Sequence, residues 1–230
     1  MQDKKKVILS WSGGKDSAFC LHELISSGTS EIVCLLTTLT EEYQRTCMHG
    51  VRRLLLDRQA ESLGFPLEKV YLSADGDDKA YERKMRTFLE KSRGQGVNTV
   101  VFGDIFLEDL RTYREERLAR AGMSALFPLW KRDTREMARD FIDSGFRAVI
   151  TCVDSHFLDA SFVGLEYDET FLDRLPETVD PCGENGEFHT FVYDGPCFQS
   201  RIEHLPGETV LRENRFYFCD LLPPGGGARS

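Results

Sequence analysis

Short apolar runs alternate with amphipathic stretches through the first two thirds of the chain. "KVILSW" (6–11) predicts a strand, and "DSAFCLHELISSG" (16–28) a helix, with Phe19, Leu21, Leu24 and Ile25 at helical spacing and Gly28 as the stop. "EIVCLLTTLT" (31–40) predicts a second strand. "HGVRRLLLDRQAESLGFP" (49–66) predicts a helix ended by Gly64 and Pro66. The alternation continues with "LEKVYLSAD" (67–75) as strand and the strongly charged 78–96 as helix. A strand over 97–105, a helix over 107–122 and a strand over 124–130 follow. A helix over 133–145 has Asp133 as its N-cap, and "FRAVITCVD" (146–154) is the last strand of the series. Apolar strands alternating with helices predict a parallel sheet covered on both faces, a doubly wound α/β fold. Such folds bind ligands beyond the C-terminal ends of the strands, where strand order reverses.

The pattern changes near Ser155. Helical periodicity fades after Leu175, Pro, Gly and Asp become frequent, and "RFYFCDLL" (215–222) alternates with the period of a strand. The expected organisation is a nucleotide-type domain over 1–154, a smaller mixed α/β lobe over 155–222, and a disordered tail, "PPGGGARS", over 223–230.

Composition narrows the function classes. The chain has 230 residues, a net charge of −9 and a pI near 5.2, which argue against holding nucleic acid through bulk charge. No apolar run approaches the roughly 20 residues that span a bilayer, and the N-terminal run is too short for a signal peptide. Seven scattered cysteines, with no C-x-x-C pair, fit reduced thiols in the cytoplasm rather than a disulfide scaffold.

Chemistry concentrates at two places. The first is Ser12-Gly13-Gly14-Lys15-Asp16-Ser17, between the first strand and the first helix. It breaks the Walker A template, because Asp16 separates Lys15 from Ser17, and the dinucleotide fingerprint also fails. The physics of an anion site remains: glycines admit close backbone approach, and a helix N-terminus favours negative charge. Ser12 and Ser17 supply hydroxyls, Lys15 a point charge, and Asp16 a carboxylate for a magnesium ion accompanying phosphates. The second is "DPCGENGEFHTFVYDGPCF" (180–198), with Glu184, Glu187, His189 and Thr190 between glycines. Such a stretch is poor core material and suits a substrate loop, with an ordinary turn before a strand as the alternative. Its Cys182–His189 spacing matches no standard zinc pattern.

The first loop resembles the pyrophosphate-binding loop (PP-loop) of the N-type ATP pyrophosphatases. That resemblance implies a Rossmann-like fold, ATP cleaved between its α- and β-phosphates, and an adenylated acceptor displaced by nitrogen or sulfur. With "GENGEFHT" (183–190), "MHGVRRLLLDRQAESLG" (48–64), "VVFGDI" (100–105) and "LFPLW" (126–130), the chain resembles the diphthine–ammonia ligase family from Lys6 to about Phe198. The segment Gly103–Asp109 and Asn185 look like the bacterial branch, which implies a cobalamin-related or other small carboxylate as an alternative acceptor. By the resemblance the substrates are ATP with Mg²⁺, ammonia and a carboxylate acceptor on a small molecule or a modified protein residue, and the protein is a homodimer.

Roles follow from that resemblance. Residues 12–17 would bind the ATP phosphates, and Thr37 and Thr38 at a strand end would meet the nucleoside. His49, Gly103, Asp104, Glu184, Glu187, His189 and Thr190 would contact substrate or move protons. His49 and Asp104 could equally be helix caps, and Arg111 and Arg114 either neutralise a carboxylate or form a solvated helix face. Two rival classes are a tRNA-modifying PP-loop ligase or thiolase and a non-catalytic ATP sensor.

Overall fold

The computed structural model describes residues 4–46, 49–72 and 78–225, so part of the expected tail (226–230) lies outside the described residues. In chain order the elements are β1 (Lys5–Ser10), α1 (Lys15–Ser27), β2 (Ser30–Thr40), β3 (Arg45–Thr46), α2 (Arg53–Leu63), β4 (Leu67–Leu72), α3 (Asp78–Gly94) and β5 (Thr99–Val101). They continue with α4 (Glu108–Arg120), β6 (Ser124–Leu126), α5 (Thr134–Asp143), β7 (Arg147–Asp154), α6 (Glu169–Arg174), β8 (Phe188–Asp194), β9 (Leu205–Arg212) and β10 (Phe216–Leu222).

The elements form two sheets. In the first, β4, β2, β1, β5 and β6 lie side by side and parallel, with β3 pairing antiparallel to the far end of β2. From β1 the chain winds first to β2 and β4, then back to β5 and β6. The order therefore reverses between β1 and β5, where a doubly wound sheet opens its ligand crevice. β1 explains its central place: Val7, Ile8 and Leu9 are fully buried, as a strand covered on both faces requires. Ile8 belongs to one apolar cluster and Val7 and Leu9 to another, so β1 separates the two layers of the core.

The second sheet is antiparallel, in the order β8-β7-β10-β9. Here the structure corrects the sequence reading. Arg147–Asp154, expected to close the parallel series, instead pairs with β8 and β10. Its near-complete burial produces the same apolar signature in either sheet, so periodicity could not assign its neighbours. Three further expectations shorten. The strand over 97–105 covers only Thr99–Val101. The strand over 124–130 stops at Leu126, and 128–130 form a turn that begins at Pro128. The helix expected from His49 begins only at Arg53, because His49–Arg52 form the return of a short hairpin with Arg45–Thr46. Asp133 caps α5 as expected, accepting from the Arg135 and Glu136 amides at 2.9 and 3.0 Å. Among the described residues no helix is long and apolar enough to cross a membrane.

Candidate active site

The loop Ser12–Ser17 leaves the end of β1 and becomes the first turn of α1. Gly13 has φ +83°, a left-handed conformation that a side chain would strain. Inside the turn, Ser17 Oγ donates to the Gly14 carbonyl at 2.9 Å, the Gly14 amide donates to Ser12 Oγ at 3.2 Å, and the two serine hydroxyls lie 3.2 Å apart.

The second sheet holds this loop from outside. The Lys15 amide donates to Thr190 Oγ1 at 2.9 Å, and the Val192 amide donates to the Gly13 carbonyl at 2.9 Å. Gln59, fully buried on α2, ties three segments together: it accepts from Trp11 Nε1 at 3.0 Å and donates to the Gly13 and Val192 carbonyls at 3.0 and 2.5 Å. Residues 175 positions apart in sequence thus form one wall.

That wall faces a cavity of about 950 Å³, lined by Ser12, Lys15, Asp16, Ser17, Thr37, Thr38, His49, Gly103, Asp104, Glu184, His189 and Thr190. It extends between α3 and α4, past Tyr81, Met85, Tyr113 and Arg117. Of the residues singled out in the sequence, Gly13, Gly14, Arg111 and Glu187 are not on its surface. The glycines supply backbone behind the loop. Glu187 is buried at 1% exposure; its Oε1 accepts from the Asp180 amide and Asn185 Nδ2 at 3.1 and 2.9 Å, which shapes the 180–187 loop, and its Oε2 is buried without a hydrogen-bond partner.

Electrostatics differ sharply across the cavity. Lys15 is 4% exposed, and its Nζ lies 2.5 Å from Asp16 Oδ1 and about 6 Å from the Tyr167 and Phe188 ring centres. Burial works against its charge, but Asp16 outweighs that and raises the pKa above the ordinary lysine value. Lys15 is therefore a fixed cation. Across from it, burial lifts the Glu184 carboxyl to about 7, although Oε1 accepts from the Ile105 amide at 2.8 Å. A group that titrates near neutrality can both give and take a proton. Burial also raises Asp104, which Arg114 holds as a counter-ion at 2.8 Å while stacking on Phe102 at 4.3 Å. Arg111 lies over Trp130 and pairs with Glu115 on the helix surface.

Two histidines meet at the loop. The His49 and His189 ring centres are 4.6 Å apart, and His49 Nδ1 lies 3.0 Å from the Thr190 carbonyl, which makes that nitrogen the N–H donor. Burial depresses both pKa values, His189 strongly, so the pair is neutral near pH 7. His189 Nε2 and Thr37 Oγ1 are buried without a hydrogen-bond partner, which marks them as groups for an incoming molecule to satisfy. Thr38 is partnered, by Tyr81 at 3.5 Å. Cys182 does not offer a reactive thiolate: burial raises it to about 12, and Sγ donates to the Thr134 carbonyl at 3.3 Å.

Among the described residues no three His, Cys, Asp or Glu side chains cluster closely enough to hold a metal alone. Magnesium bound through one or two carboxylates and substrate phosphates needs no such cage, and Asp16, part-exposed at the cavity, fits that requirement.

Comparison with known proteins agrees with this architecture. Residues 5–125 match the diphthamide synthase N-terminal domain, and residues 133–220 match the diphthamide synthase C-terminal domain. The chain belongs to the diphthamide synthase family. It is 29% identical to the diphthine–ammonia ligase of Danio rerio, over 95% of this chain and 91% of that protein. It is 28% identical to the human diphthine–ammonia ligase, over 87% and 83%. The Schizosaccharomyces pombe relative of the same name is longer: a 29% identical match covers 88% of this chain but 38% of that protein.

Sequence reasoning missed Gln59, Arg45, Arg52 and Asp220. Gln59 had a signal, since it sits on the buried stripe of α2 with Leu55, Leu56, Ala60 and Leu63. A polar residue inside an apolar stripe needs partners. The Arg45–Asp220 and Arg52–Asp220 pairs had none.

Proposed function

We propose that this protein is a cytoplasmic, ATP-dependent carbon–nitrogen ligase of the diphthine–ammonia ligase type. An acceptor carboxylate attacks the α-phosphorus of ATP, pyrophosphate leaves, ammonia attacks the resulting acyl adenylate, and AMP departs. Family membership and the relatives' names support a ligase that uses ammonia. One observation carries the assignment of the site: the Lys15 amide bound to Thr190 Oγ1 joins the glycine loop and the 183–190 segment into one wall of the cavity.

In this reading Lys15 and the α1 N-terminus hold the β- and γ-phosphates and stabilise the pyrophosphate as it leaves. Asp16 would hold the magnesium ion, which neutralises phosphate charge. Thr37 meets the nucleoside. Glu184, titrating near 7, takes the proton that ammonium must lose before it can attack. The acceptor is diphthine, as in the relatives' names, with a cobalamin-related or other small carboxylate as the competing candidate.

The test is ATP turnover with the product nucleotide identified, with and without ammonium, across diphthine-bearing elongation factor and a panel of small carboxylates. Acceptor-dependent AMP and pyrophosphate, lost in Lys15→Ala and Asp16→Ala, is the expected result. ADP as product would overturn the adenylating mechanism.

A further inference from the structure

The loop that carries His49 is held from the second sheet by one carboxylate. Asp220, on β10, receives two arginines that flank His49. Arg45 Nη1 donates to Oδ1 at 2.7 Å, and Arg52 bonds both oxygens, through Nε at 3.0 Å and Nη2 at 2.6 Å. Arg45 also donates to the Gly50 carbonyl at 2.8 Å, and Arg45 and Arg52 form an antiparallel bridge. Two residues earlier on β10, the Phe218 ring lies against Gly50, where a Cβ would come within 2.9 Å of it. The hairpin is thereby pinned at Arg45, at Gly50 and at Arg52. His49, which with Thr46 reaches the cavity from this hairpin, then lies against the Gly14 backbone, donates to Thr190 and faces His189.

A bidentate arginine–carboxylate contact fixes direction as well as distance. The second arginine, on Oδ1 alone, fixes the other strand of the hairpin. Removing Asp220 would leave two part-buried guanidinium groups without their shared counter-ion, and they would turn toward water. Among the described residues no other ion pair ties the hairpin to β10.

We infer that Asp220 is a positioning residue: through Arg45 and Arg52 it sets the His49 imidazole against the glycine loop. The role rests on the proposed reaction for its kinetic consequence, but not for its structural one. A carboxylate in the second sheet thus governs a group presented by the first.

The experiment compares Asp220→Asn, Asp220→Glu and His49→Ala with the parent, and combines Asp220→Asn with His49→Ala. Two readouts are taken: kcat and KM for AMP formation, and the ¹H–¹³C imidazole resonances followed against pH, with His49 assigned by its loss in His49→Ala. The groups facing that imidazole are Lys15 and Asp16 of the loop and His189 of β8. Asp220→Asn is expected to shift the His49 resonance, because the ring loses its fixed place against the Gly14 backbone. It should lower kcat about tenfold with KM for ATP within about twofold, and have almost no further effect on the His49→Ala protein. Asp220→Glu should recover part of the loss. An unchanged His49 resonance in folded Asp220→Asn overturns the inference, as does an equal kcat loss with and without His49. Should Asp220→Asn fail to fold, Arg52→Gln, which leaves Arg45 on the carboxylate, carries the same two readouts. A parent protein that forms no AMP with any acceptor would count against the proposed function alone, because the resonance still reads the clamp.

Discussion

Gln59→Leu removes a side chain that joins α2 to both the glycine loop and β8. Leucine nearly matches the shape, so the change isolates the hydrogen bonds. Three are lost: one from Trp11 Nε1, and one each to the Gly13 and Val192 carbonyls. The consequences are unequal. Gly13 keeps the Val192 amide as a donor at 2.9 Å, whereas the Trp11 indole N–H is left in a site where Trp11 is 2% exposed. An orphaned buried donor costs about 1–3 kcal/mol, and each carbonyl bond is worth about 0.5–1.5 kcal/mol, so the sum is about 2–6 kcal/mol. For a chain of this size each kcal/mol moves Tm by about 2–4 °C, which gives a fall of roughly 4–24 °C. Urea denaturation followed by tryptophan fluorescence measures the loss directly, since Trp11 is one of two tryptophans. A loss below about 1 kcal/mol would refute the reasoning, because it would mean that the site relaxes enough to satisfy the indole elsewhere.

Gly103→Ala places a Cβ within 2.8 Å of the Asp16 carbonyl oxygen and 3.2 Å of the Ser17 amide nitrogen. Backbone cannot step aside cheaply, so overpacking should cost about 1–3 kcal/mol and weaken ATP binding, measured by calorimetry. Unchanged ATP affinity would show that the first turn of α1 tolerates displacement. Thr190→Val removes the acceptor of the Lys15 amide but keeps the shape, and should raise KM for ATP with little change in fold by circular dichroism. Glu184→Gln should abolish the rise of ligase rate through about pH 7, if the carboxylate is the proton acceptor. The same residue predicts a stability effect. Its folded pKa lies above the unfolded value, so folding binds a proton. That contribution is whole below about pH 4.5 and lost as pH rises through about 7. Glu184→Gln should therefore gain stability relative to the parent at pH 8 but not at pH 4, and a difference that ignores pH would contradict it.

Much of this protein is local and therefore legible. Val7–Leu9 had to be a strand covered on both faces, and the helix from Lys15 to Ser27 ends at Gly28 in the left-handed conformation that glycine adopts most readily. The loop between them, with two glycines, a lysine and an aspartate, carries its chemistry in adjacent residues. The doubly wound order follows from the same local signals, since alternating strands and helices leave few ways to cover both faces of a sheet. What sequence could not assign depends on distant partners. β7 is buried along nearly its whole length, so its pattern names no sheet, and only packing against β8 and β10 put it in the second. Glu184 and Glu187 share one motif three residues apart. The fold turns the first toward the cavity and commits the second to the Asp180 amide. The Asp220 clamp spans up to 175 residues. A pair so far apart leaves no period in the chain, because its energy arises only when two sheets bring the charges within bonding distance.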